Sequence, residues 1–368
     1  MALPVEEMLV TLSARLAVFD RKEKITLAVS ILGTIITAVA RAAGADSVLV
    51  FVLAALTMAG LASTVGDGTD QLGSRFGPGA TGVLQSALGN LPELFISIFA
   101  LQAGLVTVVQ AALIGSILGN SLLVLGIAFV VGGIRHGTQT FGKGQSRMMA
   151  MLIMLSVAAL AIPTVASLRS GPVTGHTEDL SLICAVVVLA VFALSIPFSL
   201  AGGRGAREEA APVEKVWPLP LALVVLAGAG VSAAFVSDWF VTALQPTMAT
   251  FHLSQSFTGL VIVAIAGNAV ENVVGVQLAA RNQMDFSLSV ILNSSLQVAL
   301  ALIPILVILS QFISPNHLTL VLPLPLLAAL ALSAVLGALI VYDGESTWLE
   351  GVALLALYVI IAASFWWG

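Results

Sequence analysis

Gly89-Asn90-Leu91-Pro92-Glu93 and Gly267-Asn268-Ala269-Val270-Glu271 are two copies of one pattern: glycine, asparagine, two apolar residues, glutamate. Each glutamate lies about midway through a long apolar run, Glu93 in 80–102 and Glu271 in 257–280. An ionisable group at the centre of a bilayer costs ~2.5–3.5 kcal/mol on insertion scales, so such residues generally mark a site. A structural carboxylate bonded to a neighbouring helix explains one such residue readily; two in matched motifs are better read as a paired device.

The surrounding composition sets the class. The 368 residues are 59% hydrophobic and 9% charged, with a mean hydropathy of +1.08, which excludes a soluble domain and points to an all-α polytopic membrane protein. A hydrocarbon core about 30 Å thick takes about 20 helical residues. On that measure eleven spans are expected, at 25–42, 47–73, 80–102, 105–133, 146–168, 179–200, 216–244, 257–280, 285–312, 318–341 and 347–367. Gly77-Pro78-Gly79, the run Gly137 to Gly144, Gly171-Pro172 and Ser314-Pro315-Asn316 are loop signals between them. Residues 1–24 carry Glu6, Glu7, Arg15, Arg21, Lys22 and Lys24 before any long apolar run, so no signal peptide is expected; 5–18 suit an amphipathic surface helix. The single cysteine, Cys184, excludes an intrachain disulfide.

With the N-terminus inside, Arg15, Arg21, Lys22, Lys24, Arg75, Arg135, Lys143, Arg147, Arg204, Arg207, Lys215 and Arg281 fall on the inner side, and only Arg41 and Arg169 outside. That bias predicts a cytoplasmic N-terminus and an outer C-terminus, with a bacterial inner membrane as the default location. Trp217, Trp239, Trp348, Trp366 and Trp367 fall at or near span ends, where an indole prefers to sit.

Laying the second motif on the first matches Gly89, Asn90 and Glu93 with Gly267, Asn268 and Glu271. In the same register Ser116 falls on Ser294, Leu118 on Leu296 and Leu122 on Leu300. Spans three and four thus correspond to eight and nine. Span three runs outward and span eight inward, so the two halves have opposite topology. The expected organisation is a cytoplasmic segment 1–24, an extra helix 25–42, a five-helix repeat 47–200, a hydrophilic linker 201–215 and a second five-helix repeat 216–368. Inverted repeats place substrate sites at their interface near the midplane in many secondary transporters.

Two facing carboxylates in a low-dielectric site repel, so one or both hold a proton when no cation is bound, and a divalent cation neutralises both. Carboxylate and carbonyl oxygens are hard ligands that suit Ca²⁺, and neither stretch has Cys or His beside it for a soft metal or zinc. Carrying either protons or a cation, but not both, is enough for an antiporter when combined with alternating access. Pro92, lacking an N–H, frees the Leu88 carbonyl, and Gly267 loosens the second copy. Asn90 and Asn268 stand about one turn before each Glu and offer oxygens, ligation being favoured over interhelical bonding. Ser116 and Ser294, beside Gly115 and Asn293, are evenly balanced between packing and ligation. Asn120 and Gln297 have no polar counterpart in the repeat register (Val298 and Gly119) and read as packing; Asp285 reads as a helix cap. Asp67 and Asp70 end span two as solvated groups or an ion entrance, and Glu208, Glu209 and Glu214 read as a solvated linker face. His136, His176, His252 and His317 fall in loops or at span edges.

These residues resemble the calcium/cation antiporter superfamily (sodium/calcium exchanger membrane region), specifically its Ca²⁺/H⁺ exchangers, whose halves each carry Gly-Asn-x-x-Glu. Val109-Gln110-Ala111-Ala112-Leu113-Ile114-Gly115-Ser116-Ile117-Leu118 looks like the segment after the family's first motif. Met284-Asp285-Phe286-Ser287-Leu288, with Ser294-Ser295-Leu296-Gln297, is similar to that after the second. The resemblance is close over the two motifs and the segments that follow them, and it holds for the span count throughout. It implies that Glu93 and Glu271 are the central Ca²⁺ and H⁺ ligands, with Asn90 and Asn268 assisting. Three departures stand out: the first motif ends Leu-Pro-Glu as in Na⁺/Ca²⁺ exchangers, the paired acids ending span two read Asp70-Gln71, and Asn293-Ser294-Ser295-Leu296-Gln297 replaces Gly-Ser-Ser-Thr-Gln.

The expectation is therefore a secondary active cation antiporter, Ca²⁺ for H⁺, with Na⁺-driven exchange as the alternative. A cation channel suits a proton-neutralised site less well. An intramembrane hydrolase needs a nucleophile and base at depth, where there is no His, so no enzyme is expected. The partners expected are the lipid bilayer and the transported cations, with neither a nucleic acid nor a bound cofactor.

Overall fold

The computed structural model describes residues 18–76, 88–168, 175–202 and 216–367, with side chains at 74, 76, 145, 196–202, 270 and 271 outside the description. The amphipathic stretch at 5–18, apart from its last residue, Gly77-Pro78-Gly79, Gly171-Pro172 and nearly all of the linker, Glu208, Glu209 and Glu214 included, lie outside the described residues.

The architecture is all-α and polytopic. Among the described residues eight helices are long and apolar enough to cross a membrane, and nine if a helix pair bent by 66° counts as one span. That pair, Gln255–Gly267 with Asn272–Ala279, is span eight. Two shorter apolar helices, Leu91–Gln102 and Leu324–Ile340, stand where spans three and ten are expected.

Local sequence explains the ends. Span one, Arg21–Ala42, starts at a reciprocal cap: Asp20 accepts from Glu23 N at 2.7 Å, and Glu23 accepts from Asp20 N at 2.8 Å. Thr347 and Glu350 do the same for span eleven, Trp348–Trp366. Span ten begins at Leu324 rather than 318. Pro323 pushes Leu322 out of helical geometry, and residues 318–323 are irregular, with a bend at Leu320. Four neighbouring spans satisfy that backbone. Gln110 donates to the Thr319 and Val321 carbonyls, Thr164 donates to the Leu320 carbonyl and accepts from Leu322 N, Ser181 accepts from Leu320 N, and Ser310 accepts from Leu318 N. Irregular backbone at membrane depth is tolerable when buried in protein and bonded in this way.

The chain divides into two compact units. The first comprises Met1–Phe95 and Leu194–Ala243. Here span one packs along span two, Ser47–Phe76, through hydroxyl pairs, Ser30 with Thr64 at 2.8 Å and Thr37 with Thr57 at 3.1 Å. Span seven, Leu219–Phe251, meets span one at both ends. At one end Arg41 pairs with Asp238 at 3.3 Å. At the other Trp217 donates from Nε1 to Glu23 and from its backbone to Gln71, and its carbonyl accepts from Arg75. Trp217 is 2% exposed and packs edge-on against Phe19. It is therefore a buried staple, a correction to the expectation of an interfacial anchor: its three polar groups all find protein partners.

The second unit comprises Ile96–Ala193 and Leu244–Gly368. Its loops gather at two ends as alternating spans require. At one end a two-residue strand β1, Gln139–Thr140, pairs antiparallel with β2, Glu345–Ser346. Gln139 also reaches Ala279 and Asn282, and Gly142 N donates to Asp285 at 2.6 Å. At the other end Ser314 donates to the Leu101 carbonyl, Ser254 to the Phe365 carbonyl, and His317 meets Glu178 at 3.1 Å.

Candidate functional site

Both motifs break their helix at the same place. In the first, Gly89 and Asn90 form a turn and a helix restarts at Leu91. In the second, Asn268 ends a four-residue helical turn, Ala264–Gly267, and a helix restarts at Ala269. Leu91 and Ala269 are counterparts in the repeat register, each following its motif asparagine, so the restart falls on the sequence repeat. Each motif asparagine carbonyl accepts the first helical bond, Asn90 from Leu94 N at 2.9 Å and Asn268 from Asn272 N at 3.1 Å. Pro92 thus occupies the first turn, where its missing N–H breaks no helical bond. The break comes from the Gly-Asn pair before it, not from a proline within a continuous helix.

Restarting there makes each glutamate the third residue of a new helix. Glu93 lies in the first turn of Leu91–Gln102 and is 7% exposed. A helix N-terminus carries a partial positive charge, the end at which an acidic side chain is most readily placed. Glu271 has the same position in Ala269–Ala279; its side chain lies outside the described residues. Gly89 is half-buried, and Asn90 and Pro92 are buried.

Around Asn268 the polar groups are drawn together. Its Nδ2 donates to Ser116 Oγ at 2.8 Å and to the Ala264 carbonyl at 2.9 Å. Its Oδ1 accepts from Asn120 Nδ2 at 3.4 Å, and the same Nδ2 donates to Ser294 Oγ at 3.0 Å. Asn268, Ser116 and Ser294, all sequence candidates, therefore meet in one buried network, joined by Asn120. Gln297 is buried on the same helix as Ser294, just beyond it.

Asn120 is the residue that the sequence reading set aside. It is 1% exposed, and its Oδ1 has no hydrogen-bond partner among the described residues. Its signal was the i, i+4 spacing from Ser116, which puts both on one helix face. Asn272, beside Glu271, also has a buried Oδ1 without a partner among the described residues. Asn120 and Asn272 lack polar counterparts in the repeat register (Val298 and Leu94), so a search for symmetric pairs passes over both.

The repeat extends into backbone geometry. Span four, Val106–His136, passes through a π-helical segment at Gly119–Val124, where Leu125 N–H bonds the Asn120 carbonyl. Span nine, Met284–Ile313, does so at Val298–Leu302, where Ile303 N–H bonds the Val298 carbonyl. Asn120 and Val298 are repeat counterparts, as are Leu125 and Ile303. Such bulges loosen a helix and are frequent at functional sites. A third, Thr258–Val263, lies in span eight. There Gly115 of span four lies against the Leu260 backbone and Gly259 against that of Val108, a backbone-to-backbone approach that only glycine permits.

Asp70 is exposed and Asp67 half-buried at the end of span two. Asp285 caps, although not its own helix: it receives Gly142 N at the start of span five, Lys143–Ser167. The four histidines lie at span ends, His176 and His317 bonded to exposed Asp179 and Glu178.

Comparison with known proteins gives concordant matches. The model of the sodium/calcium exchanger protein family matches residues 46–201 and 221–367. The chain is 36% identical over 326 residues to a Ca²⁺/H⁺ antiporter, ChaA, of Bacillus subtilis (strain 168), covering 87% of this chain and 92% of the relative. It is 36% identical over 337 residues to a Ca²⁺/H⁺ antiporter of a Synechocystis species, covering 86% and 90%. The solved structure of native YfkE superposes with a TM-score of 0.80 at 32% identity, covering 93% of this chain and 99% of that one.

Proposed function

This chain belongs to the sodium/calcium exchanger protein family, and on that premise we propose that it is a secondary active antiporter exchanging Ca²⁺ for H⁺ across a membrane. Two relatives at 36% identity, matched over most of their length, carry that activity in their names. The observation that carries the reading is the coincidence of the two helix restarts. Leu91 and Ala269 open their helices at matched positions of the repeat, each with a glutamate third in line.

In this reading Glu93 and Glu271 hold either protons or one Ca²⁺. Ca²⁺ takes six to eight oxygens at flexible geometry. The carboxylates supply the charge, and Asn90, Asn268 and the buried Asn120 and Asn272 oxygens supply neutral donors. Ser116 and Ser294 hold the amides in place. Broken helices leave terminal carbonyls without helical partners, a further source of oxygen at membrane depth. When the cation leaves, two carboxylates that had shared it cannot both remain charged, and protons replace it. Residues 47–200 and 216–368 form the inverted five-helix repeats, with 25–42 as the extra helix, 201–215 as the linker and 1–24 on the cytoplasmic side. Asp70 serves the approach to the site. The membrane is the bacterial inner membrane, with the C-terminus outside.

Uptake of radiolabelled Ca²⁺ into proteoliposomes under an imposed pH gradient tests this, with Na⁺ absent and then present. Uptake is expected from the pH gradient alone, unchanged by Na⁺ and reduced to background by Glu93→Gln or by Glu271→Gln. Uptake that requires Na⁺ would assign the coupling to sodium instead. Full uptake in either variant would remove that glutamate from the site.

A further inference from the structure

We propose that a cavity among spans one, two and seven binds an anionic phospholipid from the leaflet at which span one begins. An acyl chain fills the cavity and the phosphate sits at Lys24. The cavity has a volume of about 290 Å³, roughly ten times the share of one water molecule in the liquid. Its walls are Leu27 and Ile31 of span one, Leu61 of span two, and Val224, Gly228 and Ala229 of span seven. Ser30, Thr64 and Ser232 also border it; the hydroxyls of the first two bond each other at 2.8 Å. Most of its lining is hydrocarbon, which suits an acyl chain better than water. Ile31 and Val224 are exposed at its mouth, 51% and 69%, on helices that cross the membrane.

Charge argues for the headgroup. Lys24, Leu27 and Ile31 recur at helical spacing, three apart and then four, and so share one stripe of span one. Lys24 is exposed at the foot of that stripe and has no ion pair among the described residues. Arg21 and Lys22 are exposed beside it. The nearby Glu23 is engaged inward, by Trp217 and Gln71. Leu27 and Val225, which line the cavity, also pack against the Phe19, Leu72 and Trp217 cluster near the start of span one. A cation at the membrane surface beneath an apolar cavity open to lipid matches the two ends of an anionic phospholipid.

Gly228 offers a clean plug, since a Cβ there meets nothing within 4 Å. The intact protein would be titrated in detergent with phosphatidylglycerol and with phosphatidylcholine, and bound lipid counted by native mass spectrometry. Wild type is expected to retain phosphatidylglycerol preferentially. Lys24→Gln should weaken it about fivefold, the effect of one basic residue at an anionic surface, and leave phosphatidylcholine unchanged. Gly228→Phe should abolish the preferential binding, while Ala227→Phe, beside the cavity but not lining it, should not. Equal retention of the two lipids by wild type, or undiminished phosphatidylglycerol in Gly228→Phe, would overturn the proposal. Should Gly228→Phe fail to fold, Lys24→Gln decides alone, and an unchanged affinity for phosphatidylglycerol overturns it.

Discussion

Span four turns through its π-helical segment at Gly119–Val124, and span nine through its own at Val298–Leu302, with the i to i+5 bond that closes each segment at the same repeat position. Their side chains diverge at that point. Span four places Asn120 there, bonded to Asn268 and Ser294; span nine places a fully buried Val298. One amide therefore serves a network to which both repeats contribute hydroxyls. The backbone device has been duplicated, whereas the donor set has not, because one compact donor between Asn268 and Ser294 leaves no need for a second. A symmetric pair of asparagines would add a buried amide that must itself find partners, at about 1–3 kcal/mol if it did not.

The largest effect is expected where span four touches span eight. A Cβ at Gly115 would meet the Leu260 carbonyl oxygen, and both sides of that contact are backbone. Gly115→Ala should destabilise the protein by about 3 kcal/mol or more, since neither wall can move like a side chain. Asn293, its repeat counterpart, already carries a side chain, and Asn293→Ala should be much milder. Thermal unfolding in detergent compares them, and equal midpoints would refute the close approach as a structural requirement.

Next comes the amide itself. Asn120→Leu keeps the volume roughly and removes the donor to Ser294 and Asn268. Stranding buried polar groups costs about 1–3 kcal/mol, so the Ca²⁺ concentration for half-maximal uptake should rise about tenfold to hundredfold. Adding Val298→Asn in that background should not restore uptake, because position 298 lies at a different place in the network although at the same place in the repeat. Restoration by the second change would mean that the two spans are interchangeable, and the asymmetry only incidental.

The span order and the motif pairs were legible in the sequence because hydropathy and the repeat register are carried by residue type. The late start of span ten was hidden: residues 318–322 are as apolar as a helix, and their irregular path depends on Gln110, Thr164, Ser181 and Ser310 arriving from elsewhere in the chain. Pro92 was legible as a helix disturbance but misplaced, since a proline in a first turn and one in mid-helix look alike until the restart at Leu91 is seen. The repeat register does not reveal Asn120 or Asn272, since both stand where the repeats differ. Trp217 looked like an anchor because position alone does not tell an indole facing lipid from one bonded to Glu23.

The two serines separate what remains. Ser116 and Ser294 are repeat counterparts, and each accepts from an amide, Ser116 from Asn268 at 2.8 Å and Ser294 from Asn120 at 3.0 Å. The donors differ in what they keep afterwards. Without Ser116, Asn268 still gives a 2.9 Å bond to the Ala264 carbonyl of its own helix and stays anchored. Without Ser294, Asn120 keeps only the 3.4 Å contact to Asn268, near the limit of a useful bond. A net hydrogen bond contributes about 0.5–1.5 kcal/mol. Ser116→Ala should therefore raise the half-maximal Ca²⁺ concentration about twofold and Ser294→Ala about tenfold, in uptake measured side by side. The reverse order would show that Asn268, not Asn120, is the loosely held member of the network, and that the asymmetry between the repeats runs through span eight instead of span four.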